Sequence, residues 1–162
     1  MNVLVFSGDN HRFADCASVI LEFLEAERNL SVESSDDKGI FVSSQLEKFD
    51  VCVFGTGFTR QVRHSDNTWT MEQELTPRQE AGLFEFVSGG KGLVGVHGTA
   101  WKVGSRVVDL IGGHANWHPP GGAFTVHIED PSHPATQGIA DFELEDEIYI
   151  SAYDPDLHIL AT

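Results

Sequence analysis

"GLVGVHGTA", residues 92–100, is the stretch whose reading decides the fold. Leu93, Val94 and Val96 form a short apolar run of the kind that parallel sheets bury on both faces. Gly95 and Gly98 leave little bulk around His97, and Thr99-Ala100 opens a segment of helical pattern. A strand that turns tightly into a helix is the elbow on which α/β enzymes display a serine or cysteine nucleophile. Here a histidine stands at that position. Backbone N–H groups at the start of the following helix would suit an anion or oxyanion there. The plainer reading is a buried histidine bonded to a neighbouring carbonyl, and both readings stay open at this point. A Gly-x-Ser-x-Gly pattern is absent, which argues against a hydrolase triad.

Outward from this strand the pattern repeats. "NVLVF" (2–6) and "DVCVFG" (50–55) read as buried strands, with a weaker strand over 30–34. Phe13, Val19, Ile20, Phe23 and Leu24 recur at helical spacing between Phe13 and Glu27, and "FVSSQLEKF" suggests a short helix. "LTPRQEAGLFEFVSGG" carries its own start and stop: Thr76 as N-cap, Pro77 first in the helix, Gln79 closing a capping box, Gly89-Gly90 ending it. "TAWKVGSRVVDLIGG" continues as helix after the elbow. Strands alternating with helices predict an α/β domain with a mostly parallel sheet covered on both faces. Residues 56–75 show little periodicity and read as a long functional or mobile loop. Later segments, "AFTVHIED", "DFELEDEIYI" and "LHILAT", look like strands separated by turns.

Composition narrows the function classes. The 162 residues fit one domain, and 25 acidic against 10 basic residues give a net charge of −15. Such a surface repels phosphate backbones and anionic membranes, so neither nucleic acid nor membrane is an expected partner. No apolar stretch is long enough to span a bilayer, and the N-terminus lacks the basic region of a signal peptide. Cys16 and Cys52 lack metal spacing and cannot form a disulfide framework, which makes a reducing cytoplasm the expected compartment.

Ligands of open parallel sheets bind beyond the C-terminal ends of the strands. That rule gathers Asp9, Asn10 and His11 after the first strand, Arg60, Arg63 and His64 after the second, and His97 after the third. Arg60 and Arg63 stand out in so acidic a chain, although a salt-bridged surface loop is the plainer and favoured explanation. "GGHANWHPPGG" (112–122) holds His114 and His118 four apart, yet its glycines and prolines make a metal-binding helix improbable. A loop there would direct a histidine into a cleft with Trp117 as an apolar or sugar-stacking wall. "ELEDEIYI" (143–150) is a charge run of the kind that usually faces solvent, and one of its carboxylates at a strand start would serve as a general base or metal ligand. His133 in "DPSHPATQG" reads as a structural turn residue.

"LTPRQEAGLFEFVSGGKGLVGVHGTA", "LIGGHANWHPP", "DPSHPATQGI" and "DEIY", in this order, resemble the ThuA (trehalose utilisation) family over essentially the whole chain. The resemblance implies a flavodoxin-like sheet related to class I glutamine amidotransferases, with histidine where those relatives carry the elbow cysteine. Without a thiolate the elbow cannot form the thioester of glutaminase chemistry, so the chain is not expected to be a glutaminase. It also implies a polar site built from His11, His97, His118 and Glu147, with His114 matching less firmly. It implies a role in carbohydrate metabolism, on trehalose-related sugars or keto-sugars. The resemblance also implies a single ThuA-like domain over residues 1–162, and the C-terminal segment in which family members continue is expected to be lacking.

Three readings follow. In the first, the chain is a carbohydrate-active isomerase or hydrolase. His97 and Glu147 are its acid and base, and His11, His118, Trp117 and Arg60 bind the substrate. Alternatively His11, His118 and Glu147 hold a divalent metal such as zinc or manganese. In the second it is a non-catalytic sugar-binding module. In the third it is an assembly module, a homo-oligomer whose late apolar segments are covered by a partner.

Overall fold

Alternate side chains of strand β1 (Asn2–Phe6) enter two different cores. The computed structural model describes residues 1–7, 13–42, 44–54, 59–100 and 106–162. Val3 and Val5 pack with Val53 and with Ala17, Ile20, Leu21 and Leu24 of helix α1 (Phe13–Glu25). Leu4 and Phe6 pack with Cys52, Phe41, Leu46 and Phe49, and with Leu83 and Phe86 of helix α2 (Pro77–Ser88). A period of two in a strand that is apolar at every position requires cover on both sides. Burying each such Val, Leu or Phe contributes roughly 1.5–3 kcal/mol before chain entropy is charged against it.

β1 pairs in parallel with β2 (Ser31–Ser35) and with β3 (Val51–Phe54), and β3 pairs in parallel with β6 (Gly92–Gly95). The resulting order β2-β1-β3-β6, with helices between the strands, is a flavodoxin-like α/β sheet. Two short 3-10 turns, Lys38–Val42 and Leu46–Lys48, stand where the sequence suggested one short helix. α2 begins as its sequence predicts. Gln79 N–H donates to the Thr76 hydroxyl, and Thr76 N–H donates to the Gln79 side chain at 2.8 Å.

Three expectations in this part of the chain are corrected. Residues 59–73 are not an irregular loop: β4 (Thr59–Arg63) and β5 (Trp69–Gln73) form an antiparallel hairpin. Its residues are mostly polar, so no core-facing period marks it. The register is set by the turn, where Asn67 has φ 63° and Asp66 accepts from Thr68 N–H at 3.0 Å. The helix expected after the elbow is reduced among the described residues to a 3-10 turn, His97–Ala100, and one helical turn, α3 (Val108–Ile111). "GGHANW" is no loop but a strand, β7 (Gly113–Trp117).

Tertiary contacts divide the chain into two compact units, Met1–Ile111 and Gly112–Thr162. The second contains two antiparallel pairs: β7 with β10 (Ile150–Tyr153), and β8 (Gly122–Val126) with β9 (Phe142–Asp146). "DFELEDEIYI" is thus two strands, interrupted at residues 147–149. "LHILAT" contributes only an isolated bridge, Ile128 to Ala161, reinforced by His127 N–H donating to the Thr162 carbonyl at 2.7 Å. "DPSHPAT" is an ordered turn in which Asp130 accepts from Ser132 and His133 Nδ1 accepts from Ala135 N–H at 3.1 Å. His133 therefore has a structural partner, as its turn setting suggested.

Candidate functional site

The elbow and the late strands each present groups with chemical potential, one set in each unit. In the first, β6 ends at Gly95 and the chain reverses at His97, whose φ of 49° lies in the left-handed region. Side chains other than glycine adopt that region at a cost, and such residues concentrate at functional sites. The turn closes through Thr99, whose N–H and hydroxyl both donate to the Val96 carbonyl, at 3.3 and 3.1 Å. Gly95 makes this possible: a Cβ there would meet the Thr99 methyl at 2.9 Å. His97 is exposed, which removes the reading of it as a buried core histidine.

In the second unit an irregularity sets the geometry. Ile150 pairs with Trp117 but Ser151 pairs with Ala115, so Asn116 is an extra residue on β7. In a regular strand residues two apart share a face. Here Ala115 is 2% exposed and Trp117 is 60% exposed, because the bulge re-aims the chain between them. His118 follows, held extended by Pro119.

His118, Glu147 and Tyr149 converge. The Nδ1 of His118 lies 3.0 Å from the Pro119 carbonyl and 3.6 Å from Glu147 Oε1. A carbonyl only accepts, so Nδ1 carries the proton and the neutral ring has its lone pair on Nε2. Tyr149 donates its hydroxyl to Glu147 Oε2 at 2.7 Å, and its ring centroid is 4.9 Å from that of His118. Desolvation of the phenol and the adjoining Glu147 carboxylate push its pKa up to about 12, which keeps it a donor. Glu147 is braced at its backbone as well, donating its N–H to Asp146 Oδ1 at 2.8 Å.

The structure thus brings His118 and Glu147 together and leaves Trp117 accessible. His114 sits on β7 opposite Ala152. Arg60 stands on β4 opposite Glu72, Arg63 donates to Asn67 at 2.8 Å, and His64 Nε2 is 2.7 Å from the Thr70 hydroxyl. Arg63 and His64 therefore bond within their own hairpin. His11, like Asp9 and Asn10, lies outside the described residues. No cluster of three or more metal-ligating side chains occurs among the described residues. The His118–Glu147 pair alone is smaller than the three- or four-ligand set of a zinc site. Tyr149 is the residue that reading by motif passed over. Its signal was its spacing, since two residues on from Glu147 in extended chain puts both on one side.

A four-stranded parallel sheet in this order, flanked by helices and with a histidine in the turn that follows its last strand, defines a flavodoxin-like α/β protein. The sequence model of the ThuA family, described as trehalose utilisation, matches residues 2–162, and the chain belongs to that family. A ThuA-like protein from Bacteroides uniformis ATCC 8492 has a similar solved structure, with a TM-score of 0.69 at 17% identity over 92% of this chain. That likeness speaks to the fold. The chain spans 60% of the length of that protein. No curated protein matches it. No helix among the described residues is long and apolar enough to cross a membrane.

Proposed function

We propose that this chain acts in carbohydrate metabolism on a sugar or keto-sugar related to trehalose, by acid–base chemistry centred on His118 and Glu147. The observation that carries the reading is the 3.6 Å approach of Glu147 Oε1 to Nδ1 of the His118 imidazole. A carboxylate in that place stabilises the imidazolium formed when Nε2 takes a proton. On a keto-sugar the proton comes from the carbon beside the carbonyl, the C–H electron pair becomes a C=C bond, and the carbonyl π pair moves onto its oxygen. The resulting enolate takes the proton back at the former carbonyl carbon as the neighbouring hydroxyl proton passes to the other oxygen, giving isomerisation. Or it re-forms the carbonyl as the C=C pair expels a glycosidic oxygen β to it, the C–O bond breaking and that oxygen taking the proton, giving cleavage.

Trp117 offers an exposed indole one residue from His118, and sugar rings stack their C–H faces on such surfaces. His97 is proposed as an acid–base group in its own right, on the strength of its strained elbow. Amidotransfer by a thioester is not proposed: Cys52 lies in the core and Cys16 on α1, neither at the elbow.

The test is turnover of a panel of trehalose-type sugars and their keto derivatives by the wild type, His118→Ala, Glu147→Gln and His97→Ala. Loss in the first two variants supports the reading, and unchanged turnover in both overturns it. Unchanged turnover in His97→Ala removes that residue from the chemistry. Sugar binding by the wild type with no product would make the chain a binding module.

A further inference from the structure

We propose that Tyr149 is the positioning residue of this site: its hydroxyl holds one oxygen of Glu147 and thereby fixes the other toward His118. This inference rests on the acid–base reading above.

A glutamate side chain has three rotatable bonds and two equivalent oxygens, so an exposed one samples many orientations at little cost. The Glu147 side chain is 42% exposed, which is too open for packing alone to hold it. What restricts it is chemical. Oε2 accepts from the Tyr149 hydroxyl at 2.7 Å, within the range of a strong charge-assisted bond. Oε1 is then the oxygen presented to Nδ1 of His118. The phenol is itself fixed, because its ring lies against the imidazole it serves, with 41° between the planes. Three groups thus hold one another in a closed set: phenol to carboxylate, carboxylate to imidazole, imidazole to phenol ring.

The backbone supports the same arrangement. Residues 147–149 are the gap between β9 and β10, where no ladder partner competes for them. Asp146 Oδ1 takes up the Glu147 N–H at 2.8 Å, so the residue carrying the carboxylate is anchored at its root while Tyr149 anchors its tip. Tyr149 also remains a donor throughout the working pH range, since burial and the neighbouring carboxylates disfavour its anion. A serine or histidine there would be shorter or would titrate. The phenol supplies reach, a flat face for His118, and a proton it does not release.

The test uses Tyr149→Phe, which keeps the ring on His118 and removes only the hydroxyl. Nitrogen-15 spectra of the His118 imidazole report which ring nitrogen carries the proton, whether or not any substrate is known. The wild type is expected to show one tautomer, protonated at Nδ1. Tyr149→Phe is expected to shift the His118 signals, and Glu147→Gln, which breaks the same link from the other side, to shift them comparably. With a turned-over sugar in hand, Tyr149→Phe lowers kcat by up to ~100-fold while KM changes little, as expected for misplacement of a reacting group.

Unaltered His118 signals in a folded Tyr149→Phe would overturn the proposal, as would wild-type kcat in that variant. A shift of the His118 signals in a protein that turns over no sugar would leave the clamp standing and remove the acid–base reading.

Discussion

The Cβ that Gly82 lacks would stand 1.8 Å from the carbonyl oxygen of Phe41. α2 therefore lies directly against the first 3-10 turn, and the contact closes the core containing Phe41, Leu83 and Phe86. Backbone cannot yield as a flexible side chain can. Gly82→Ala should force the two elements apart by well over an ångström and destabilise the fold by about 3 kcal/mol or more. Gly122→Ala, where a Cβ would meet nothing within 4 Å, is the control and should stay within about 0.5 kcal/mol of wild type. Urea denaturation midpoints check both.

The elbow makes a prediction of the opposite sign. At φ 49° His97 bears a strain that alanine would share and glycine would not. His97→Gly should be more stable than His97→Ala by about 1 kcal/mol, since both lose the imidazole and only one keeps a Cβ in the left-handed region. Equal midpoints for the two variants would show that the elbow is not strained.

The two cysteines should differ in kinetics. Cys16 is exposed on α1, whereas Cys52 is buried in β3 and burial pushes its thiol pKa well up. A thiol-specific chromogenic reagent should titrate one cysteine per folded chain rapidly and the second only in denaturant. Two fast thiols would mean that β3 opens readily.

Alkaline pH should act on the fold through Tyr149. Its phenol titrates near 12 in the folded chain against an ordinary 10, so the unfolded chain loses that proton first. The associated stability is complete below pH 10 and is lost as pH rises from 10 to 12. Denaturation midpoints of wild type and Tyr149→Phe should converge across that window. With only two tyrosines in the chain, absorbance of the phenolate can follow the ionisation directly.

The parallel sheet was legible because β1 and β3 are apolar at successive positions and its helices carry their own signals, as with Thr76, Pro77 and Gln79 at the start of α2. The hairpin at 59–73 was not, because a ribbon of mostly polar residues has no hydrophobic period to read. The site divides in the same way. Glu147 and His118 were named from motifs, but their approach depends on Asn116 being an extra residue opposite β10, and no local preference announces a bulge. Tyr149 was visible as a letter, and its role emerged only when its hydroxyl could be measured against Glu147.

Asn116 gives β7 a parity. Counting along a strand is counting modulo two, and the bulge absorbs the one residue that would upset the count. Ala115 and Trp117 pair with the adjacent residues Ser151 and Ile150, so they face opposite sides although their numbers share a parity. Removing Asn116 would make them neighbours in an uninterrupted ladder and leave the indole and His118 facing as they do now. A single-codon deletion here is therefore gentler than its place beside the site suggests, because the ladder has already left that residue out.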